Sequence, residues 1–242
     1  MKNPLEGTAW SDAGTVAGFT QSAPNATLIR FAAAERSAGG RRLLDIGCGA
    51  GRNAVPLAQQ GWTVTALDLS WPMLRAAAGR AQPETPHAAP GLVLAPMDVL
   101  PVQSASMDFV VAHGIWNLAR STAQFRAAVR EAARVSRPGA ALFVFTFSRS
   151  TLSPEAVPLP GEAFVFTEFS GSPQVFLTAD QLIDELGSAG FTLDPSTPLV
   201  EHNRPPAGAL RFGGSPVIHE GVFRRSSASS GVGAESEDRV DG

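Results

Sequence analysis

The densest chemical signal in the chain is the run Asp45-Ile46-Gly47-Cys48-Gly49-Ala50-Gly51-Arg52-Asn53. A carboxylate is followed by alternating glycines and then by a stretch of helical character. Glycines let a backbone turn sharply and come within contact distance of a ligand. The helix start behind them offers N–H groups that have no partner inside the helix. A second carboxylate, Asp68, closes the next apolar run, 23 positions after Asp45. In nucleotide-binding α/β folds an acid placed there accepts hydrogen bonds from ribose hydroxyls. The glycines follow G-x-G-x-G, and Arg52 stands where a dinucleotide fingerprint has its third glycine. A pyrophosphate reader uses that glycine for close helix–strand packing, and a ligand without pyrophosphate does not need it.

A second chemical stretch is His113-Gly114-Ile115-Trp116-Asn117-Leu118. His113 reads equally as a base near neutral pH or as a loop histidine bonded locally. Trp116 offers an apolar or cation-facing wall, and Asn117 offers a group to orient a polar substrate. Arg52 is expected to be solvated at the helix start, and Cys48 to be a small packing residue. Glu201-His202-Asn203-Arg204 are expected in the loop before the last strand, with His219 and Glu220 in that strand, one of them facing solvent. These histidines fit no compact zinc spacing, and Cys48 is the single cysteine, so no metal is assigned. The chain has no tyrosine, which removes any mechanism that needs a phenol side chain.

The elements that must position these groups follow a rhythm. Strands are predicted at Arg42–Ile46, Thr63–Leu67, Leu92–Leu94, Asp108–Ala112 and Ala141–Phe147. Helices are predicted at Asn25–Arg36, Asn53–Gln60, from Ser70 to about Ala81, and Ser121–Val135 up to the stop at Pro138-Gly139. Strands alternating with helices mean a parallel sheet covered on both faces. After Phe147 come a Pro-, Ser- and Phe-rich stretch over 148–177, a helix opened by Thr178 with Gln181 as its capping box, and a last pair of strands at Phe191–Leu193 and Val217–Phe223. Phe164, Phe166, Phe169 and Phe176 are expected to pack, as a cover or as an apolar cleft.

At 242 residues the chain can bury a sizeable core. Hydrophobic residues make up 44% and charged residues 17%, a globular balance. The net charge is −3 with no basic stripe, which argues against nucleic acid as a partner. No apolar run suits a signal peptide or a membrane span, so the cytoplasm is the expected compartment and no membrane partner is expected. Residues 1–40 are read as an N-terminal helical or lid segment, 41–225 as the main domain, and 226–242 as a disordered tail.

Asp45 to Gly51 resembles motif I of the class I S-adenosylmethionine-dependent methyltransferases. Asp68 resembles their ribose-binding acid, and Met97-Asp98 the position whose acid takes the adenine amino group. Leu100-Pro101 through Ser106-Met107-Asp108-Phe109-Val110-Val111, and Val135-Ser136-Arg137-Pro138-Gly139-Ala140, resemble the entries to the family's fourth and fifth strands. The likeness covers roughly residues 41–147 and the terminal helix and strands. It implies an α/β, Rossmann-like, doubly wound, seven-stranded, mostly parallel sheet with a C-terminal antiparallel hairpin. It implies S-adenosyl-L-methionine as cofactor, held by Asp45, Gly47, Gly49, Gly51, Asp68, Leu69, Met97, Asp98 and His113. The run through Arg52-Asn53 resembles the tellurite-resistance branch, which implies a thiol, a metalloid or a similarly soft acceptor. A hydroxylated metabolite or quinone precursor is the rival small-molecule acceptor, with His113, Trp116 and Asn117 as the residues beside it. The other classes are a nicotinamide-dinucleotide oxidoreductase, against which Arg52 stands, and a non-catalytic module that retains the cofactor fold.

Overall fold

The computed structural model describes residues 4–81, 89–204 and 215–227. Helices α1 (Ala13–Gln21) and α2 (Ala26–Ser37) lead into strand β1 (Arg42–Ile46), helix α3 (Ala54–Gln59), strand β2 (Thr63–Asp68), helix α4 (Trp71–Arg80) and strand β3 (Gly91–Leu94). Strand β4 (Met107–His113), helix α5 (Thr122–Val135) and strand β5 (Ser136–Phe147) complete the alternating part. Then come a small hairpin of β6 (Val165–Phe166) and β7 (Gln174–Val175), helix α6 (Ala179–Ser188), and strands β8 (Phe191–Leu193), β9 (Val200–His202) and β10 (Ile218–Arg225).

The main sheet runs β3-β2-β1-β4-β5-β10-β8, with β9 also paired to β10. β1 to β5 pair in parallel, and β10 is antiparallel to its neighbours. Strands of this kind must be apolar on both faces. Leu43 and Leu44 in β1, Phe109 to Ala112 in β4 and Ala141 to Val144 in β5 are all fully buried. One core layer packs Leu44, Val110 and Leu142 with Phe125 of α5, Leu182 of α6 and the Phe164–Phe176 region. The other packs Leu43, Phe109 and Phe143 with Leu28 of α2, Leu57 of α3 and Leu74 of α4.

Helix starts follow the polar side chains seen in the sequence. Asn25, Ser70, Ser121 and Thr178 each accept the backbone N–H three positions on, and Gln181 completes the capping box at Thr178. Each such cap stabilises its helix by roughly 1 kcal/mol.

The sheet differs from expectation in three places. It has eight strands rather than seven, because Glu201-His202 lie in the short strand β9 and not in a loop. β5 starts at Ser136, so Arg137-Pro138-Gly139 run along β4 beside a register shift between Met107 and Phe109 instead of forming a free turn. His219 and Glu220 are both buried, since β10 has partners on either side, and neither faces solvent. The segment before Asn25, read as helical or lid, holds helix α1. Phe164, Phe166 and Phe176 are buried and Phe169 is 40% exposed. Of the expected tail, 228–242 lie outside the described residues, as does most of the Pro-rich loop after α4.

α1 is fastened over α4. Arg80 donates to the carbonyls of Thr20 at 2.6 Å and Ser22 at 2.9 Å, at the end of α1 where helical carbonyls lack partners. Ser70 Oγ donates to the carbonyl of Trp10 at 2.6 Å. Among the described residues no helix is long and apolar enough to cross a membrane.

At the far end of β10, Arg224 ties three elements together. Its Nε donates to Asp194 at 2.6 Å, and its two terminal nitrogens donate to Glu35 of α2 at 2.8 and 2.6 Å. Hydrogen bonds to charged partners are worth about 1.5–3 kcal/mol when the site is not fully solvated. Arg224→Met should therefore lower the unfolding free energy by about 2 kcal/mol in urea titration, at the low end of that range because the arginine is partly exposed. An unchanged midpoint would show that the triad contributes nothing net.

Candidate active site

The turn after β1 is set by its glycines. The N–H groups of Gly47 and Cys48 both donate to the carbonyl of Leu67 in β2, at 2.8 and 2.9 Å. Gly47 has φ +70° and Gly51 φ +74°, in the left-handed region that a side chain strains. A Cβ on Gly47 would lie 2.6 Å from the Ile115 side chain, and one on Gly51 would lie 3.1 Å from both Ala77 and Val55. Gly47 thus admits the loop after β4, and Gly51 admits α4.

Asp45 ends beneath this turn, 1% exposed, and its Oδ2 has no hydrogen-bond partner among the described residues. Burial pushes its carboxyl up to about 7, against the pull of the Arg52 guanidinium and with a push from Asp68. A buried carboxylate oxygen without a donor costs free energy, so the site is built to receive one.

Asp68 stands at the tip of β2, where Oδ2 accepts the N–H of Gly49 at 2.9 Å and Oδ1 the N–H of Ser70 at 2.7 Å. Burial raises its carboxyl above the ordinary value, opposed by these backbone donors. One side chain therefore couples the glycine turn to the start of α4, and each oxygen keeps a lone pair for a further donor. Leu69 beside it is half-buried. Met97 is buried and Asp98 half-buried in the loop after β3, with Gln124 of α5 donating to Asp98 Oδ2 at 3.1 Å. Phe19 of α1 lies over Gly49, 3.6 Å from where a Cβ would stand.

His113 ends β4 with its ring stacked on Phe145, centroids 4.1 Å apart. Arg52 donates to its Nδ1 at 2.9 Å, so Arg52 is not the solvated residue its position suggested. Burial first, and then the Arg52 charge, push the imidazole down to about 3. The ring is neutral at physiological pH and its Nδ1 lone pair is spent, which contradicts the reading of His113 as a base near neutral pH. The tautomer assigned from this network carries its proton on Nε2. There it meets the Asn25 amide nitrogen at 3.3 Å, donor against donor, and is left as a donor for another acceptor.

Asn25 is a residue that sequence reasoning treated only as a helix start. Its Oδ1 accepts from Leu28, its N–H donates to Asn53 Oδ1 at 3.0 Å, and its Nδ2 donates to Glu220 Oε2 at 2.7 Å. Nothing in the sequence connected this helix start to a strand residue 195 positions away. Trp116 and Asn117 do not flank this cluster as a wall. Both are buried, and the Trp116 ring packs edge-on to Phe125 at 6.0 Å in the α5 layer. Trp116 joins the layer on the α5 side of the sheet, and both lie in the 3₁₀ turn that follows Ile115, where Trp116 Nε1 and Asn117 Oδ1 are buried without a partner among the described residues. His219 Nε2 donates to the carbonyl of Leu177 at 3.0 Å, and His202 meets Glu220. No group of three or more metal-ligating side chains occurs among the described residues.

Comparisons with known proteins agree with this arrangement. Residues 44–144 match the family model described as a methyltransferase domain. A demethylmenaquinone methyltransferase from Corynebacterium urealyticum is 33% identical over 131 residues, 54% of this chain and 49% of that protein. A ubiquinone biosynthesis O-methyltransferase from a Methylobacterium species is 30% identical over 168 residues, 67% of this chain and 64% of that protein. The chain therefore spans about half to two thirds of the length of these curated relatives. The structure of the CcbJ methyltransferase from Streptomyces caelestis superposes with a TM-score of 0.65 over 91% of this chain and 99% of that one. At 19% identity that likeness speaks for the fold alone. The five parallel strands, the reversed final strand, and the acids in β1, at the tip of β2 and after β3 stand in one order in sequence and in space, and residues 44–144 of this chain are similar to the methyltransferase domain.

Proposed function

We propose that this protein transfers the methyl group of S-adenosylmethionine to a small ring-bearing acceptor. The observation that carries the cofactor half is Asp45, a buried carboxylate with an unpartnered oxygen at the carboxyl edge of the sheet, beside the point where strand order reverses. Ligands of open α/β sheets bind there. The residues fit the cofactor. Asp45 would take its amino group, the turn at Gly47 and Gly49 would line the methionyl and ribose parts, and Asp68, with Leu69 beside it, would receive the ribose hydroxyls. Asp98 would meet the adenine amino group over Met97, and Gly51 serves by letting α4 close on the turn.

S-adenosylmethionine supplies a methyl on a sulfonium sulfur that departs as a neutral thioether. The protein's own contribution is to hold an acceptor in line and keep water out. α1 and the loop after β4 supply that cover, with Phe19 above Gly49 and Ile115 against Gly47. His113, neutral and with its Nε2–H open, is suited to donate to an acceptor oxygen.

The two curated relatives carry names from quinone biosynthesis, which supports a ring-bearing acceptor. A soft acceptor, a thiol or a metalloid, is the second reading. It is favoured by the spent lone pair of His113, because such acceptors need no base.

Calorimetric titration with S-adenosylhomocysteine should show binding that weakens about 10- to 100-fold in Asp68→Asn, the size of a lost charge-assisted pair. NADH should give no heat. A folded wild type that binds NADH and not the sulfur ligand would end the methyltransfer reading.

Asp45 generates a second expectation. Its folded value of about 7 lies above its ordinary 3.8, so the ligand-free protein is stabilised by the bound proton at low pH. That contribution is lost as pH rises from about 4 through about 7. Asp45→Asn removes the loss and should raise the melting temperature of the ligand-free protein at pH ~8, while weakening S-adenosylhomocysteine binding. Higher stability with undiminished binding would mean that the cofactor's ammonium group does not reach Asp45.

A further inference from the structure

Glu220 is a glutamate in a position that needs a reason. It is 7% exposed in β10, and its two oxygens are met by Asn25 Nδ2 at 2.7 Å and His202 Nε2 at 3.3 Å. No lysine or arginine reaches it among the described residues, and its ion-pair contact is His202. Burying a carboxylate without a permanent cation is costly, and such groups concentrate where chemistry requires them. His202 is the opposite case. Its side chain is 44% exposed, one nitrogen faces Glu220, and Nδ1 has no partner among the described residues. An exposed imidazole oriented through its other nitrogen by a buried carboxylate is the arrangement of a proton acceptor.

The register places this pair beside the rings that end β4 and β5. His113, Phe145 and Glu220 face one another across β4, β5 and β10. One rung further, Phe147, Ile218 and His202 do the same across β5, β10 and β9. Residues opposite one another in a sheet point to the same face. Phe147 packs against Phe169 at 5.5 Å and stacks on Phe176 at 5.3 Å, and Phe145 stacks on His113. Both rings are half-buried, so their exposed edges lie beside the pair, which Asn25 Nδ2 links to the end of β4 at 2.7 Å from Glu220 and 3.3 Å from His113 Nε2.

We propose that His202, positioned by Glu220, accepts the proton of a ring-borne hydroxyl as that oxygen is methylated; the inference rests on the methyltransfer reading above and narrows its acceptor to a hydroxyarene. The oxygen–carbon bond forms as the carbon–sulfur bond breaks, and the bonding pair stays on sulfur. The hydroxyl proton passes to His202 Nδ1, and the resulting imidazolium is balanced by Glu220. It returns to solvent through the exposed edge of β9. The other charged or titratable groups nearby are committed elsewhere. Glu201 accepts from Ser148 and pairs with Arg204, His219 is held by the Leu177 carbonyl, and His113 is held by Arg52.

The probe is 4-nitrocatechol, whose absorbance reports loss of its proton. Mixed with the full chain at a pH below its own titration, without cofactor, it should show the ionised band in wild type and the protonated spectrum in His202→Gln and Glu220→Gln. With S-adenosylmethionine, kcat for His202→Gln should fall about 100-fold with KM within about threefold. An ionised band and a kcat that survive in His202→Gln overturn the inference. So does a wild type that binds S-adenosylhomocysteine yet neither binds nor methylates the probe. Absence of S-adenosylhomocysteine binding overturns the methyltransfer reading itself, and the two failures are thereby distinct. Should Glu220→Gln fail to fold, His202→Gln decides alone, because its side chain is largely solvated.

Discussion

The structure turns on one buried carboxylate. Asp45 ends β1, in the middle of the sheet, with one oxygen that no described residue satisfies. Its cost is offset in part by the nearby Arg52 guanidinium and, as the pH falls below about 7, by uptake of a proton. Everything around it is arranged at backbone level. Leu67 receives two N–H groups of the turn, Asp68 receives a third, and Gly51 lets α4 approach. The turn cannot shift without moving β2 and α4, so the Asp45 oxygen stays aimed at one place.

From that point two polar chains diverge. One is rigid and made of backbone donors, from the turn through Asp68 to the start of α4. The other is made of side chains, from Arg52 to His113 and from Asn25 to Glu220 and His202. Asn25 joins them to the N-terminal segment, since it caps α2, meets Asn53 behind the glycine turn and reaches β10. Methyl transfer to a good electrophile asks for orientation more than for strong acid or base groups. A site built from neutral, oriented donors and one exposed imidazole is consistent with that demand.

Much of this was legible in order. Gly47, Gly49 and Gly51 with Asp45 and Asp68 could be read as a ligand turn because strand, turn and helix are local events, set by neighbours in the chain. The spans of β1, α4 and α6 followed from apolar runs and from Ser70 and Thr178 as caps, each acting over a few residues. The register of β10, the burial of both His219 and Glu220, and the brief pairing of β9 were not legible. They depend on which strands flank a segment, and three residues such as Val200–His202 carry too little pattern to announce a strand.

The sequence by itself determined the class of fold, the glycine turn and the acids around it, because glycine conformation, capping and apolar runs are short-range properties. Only the tertiary structure decided what the polar side chains do. His113 became a neutral donor because burial and Arg52 act on it across space. Trp116 became core because the layer on the α5 side of the sheet closes around it. Asn25, His113, His202 and Glu220 became one cluster because the reversed strand β10 brings its first residues beside the ends of β4 and β5, where the cap of α2 meets them, up to 195 residues apart in the chain.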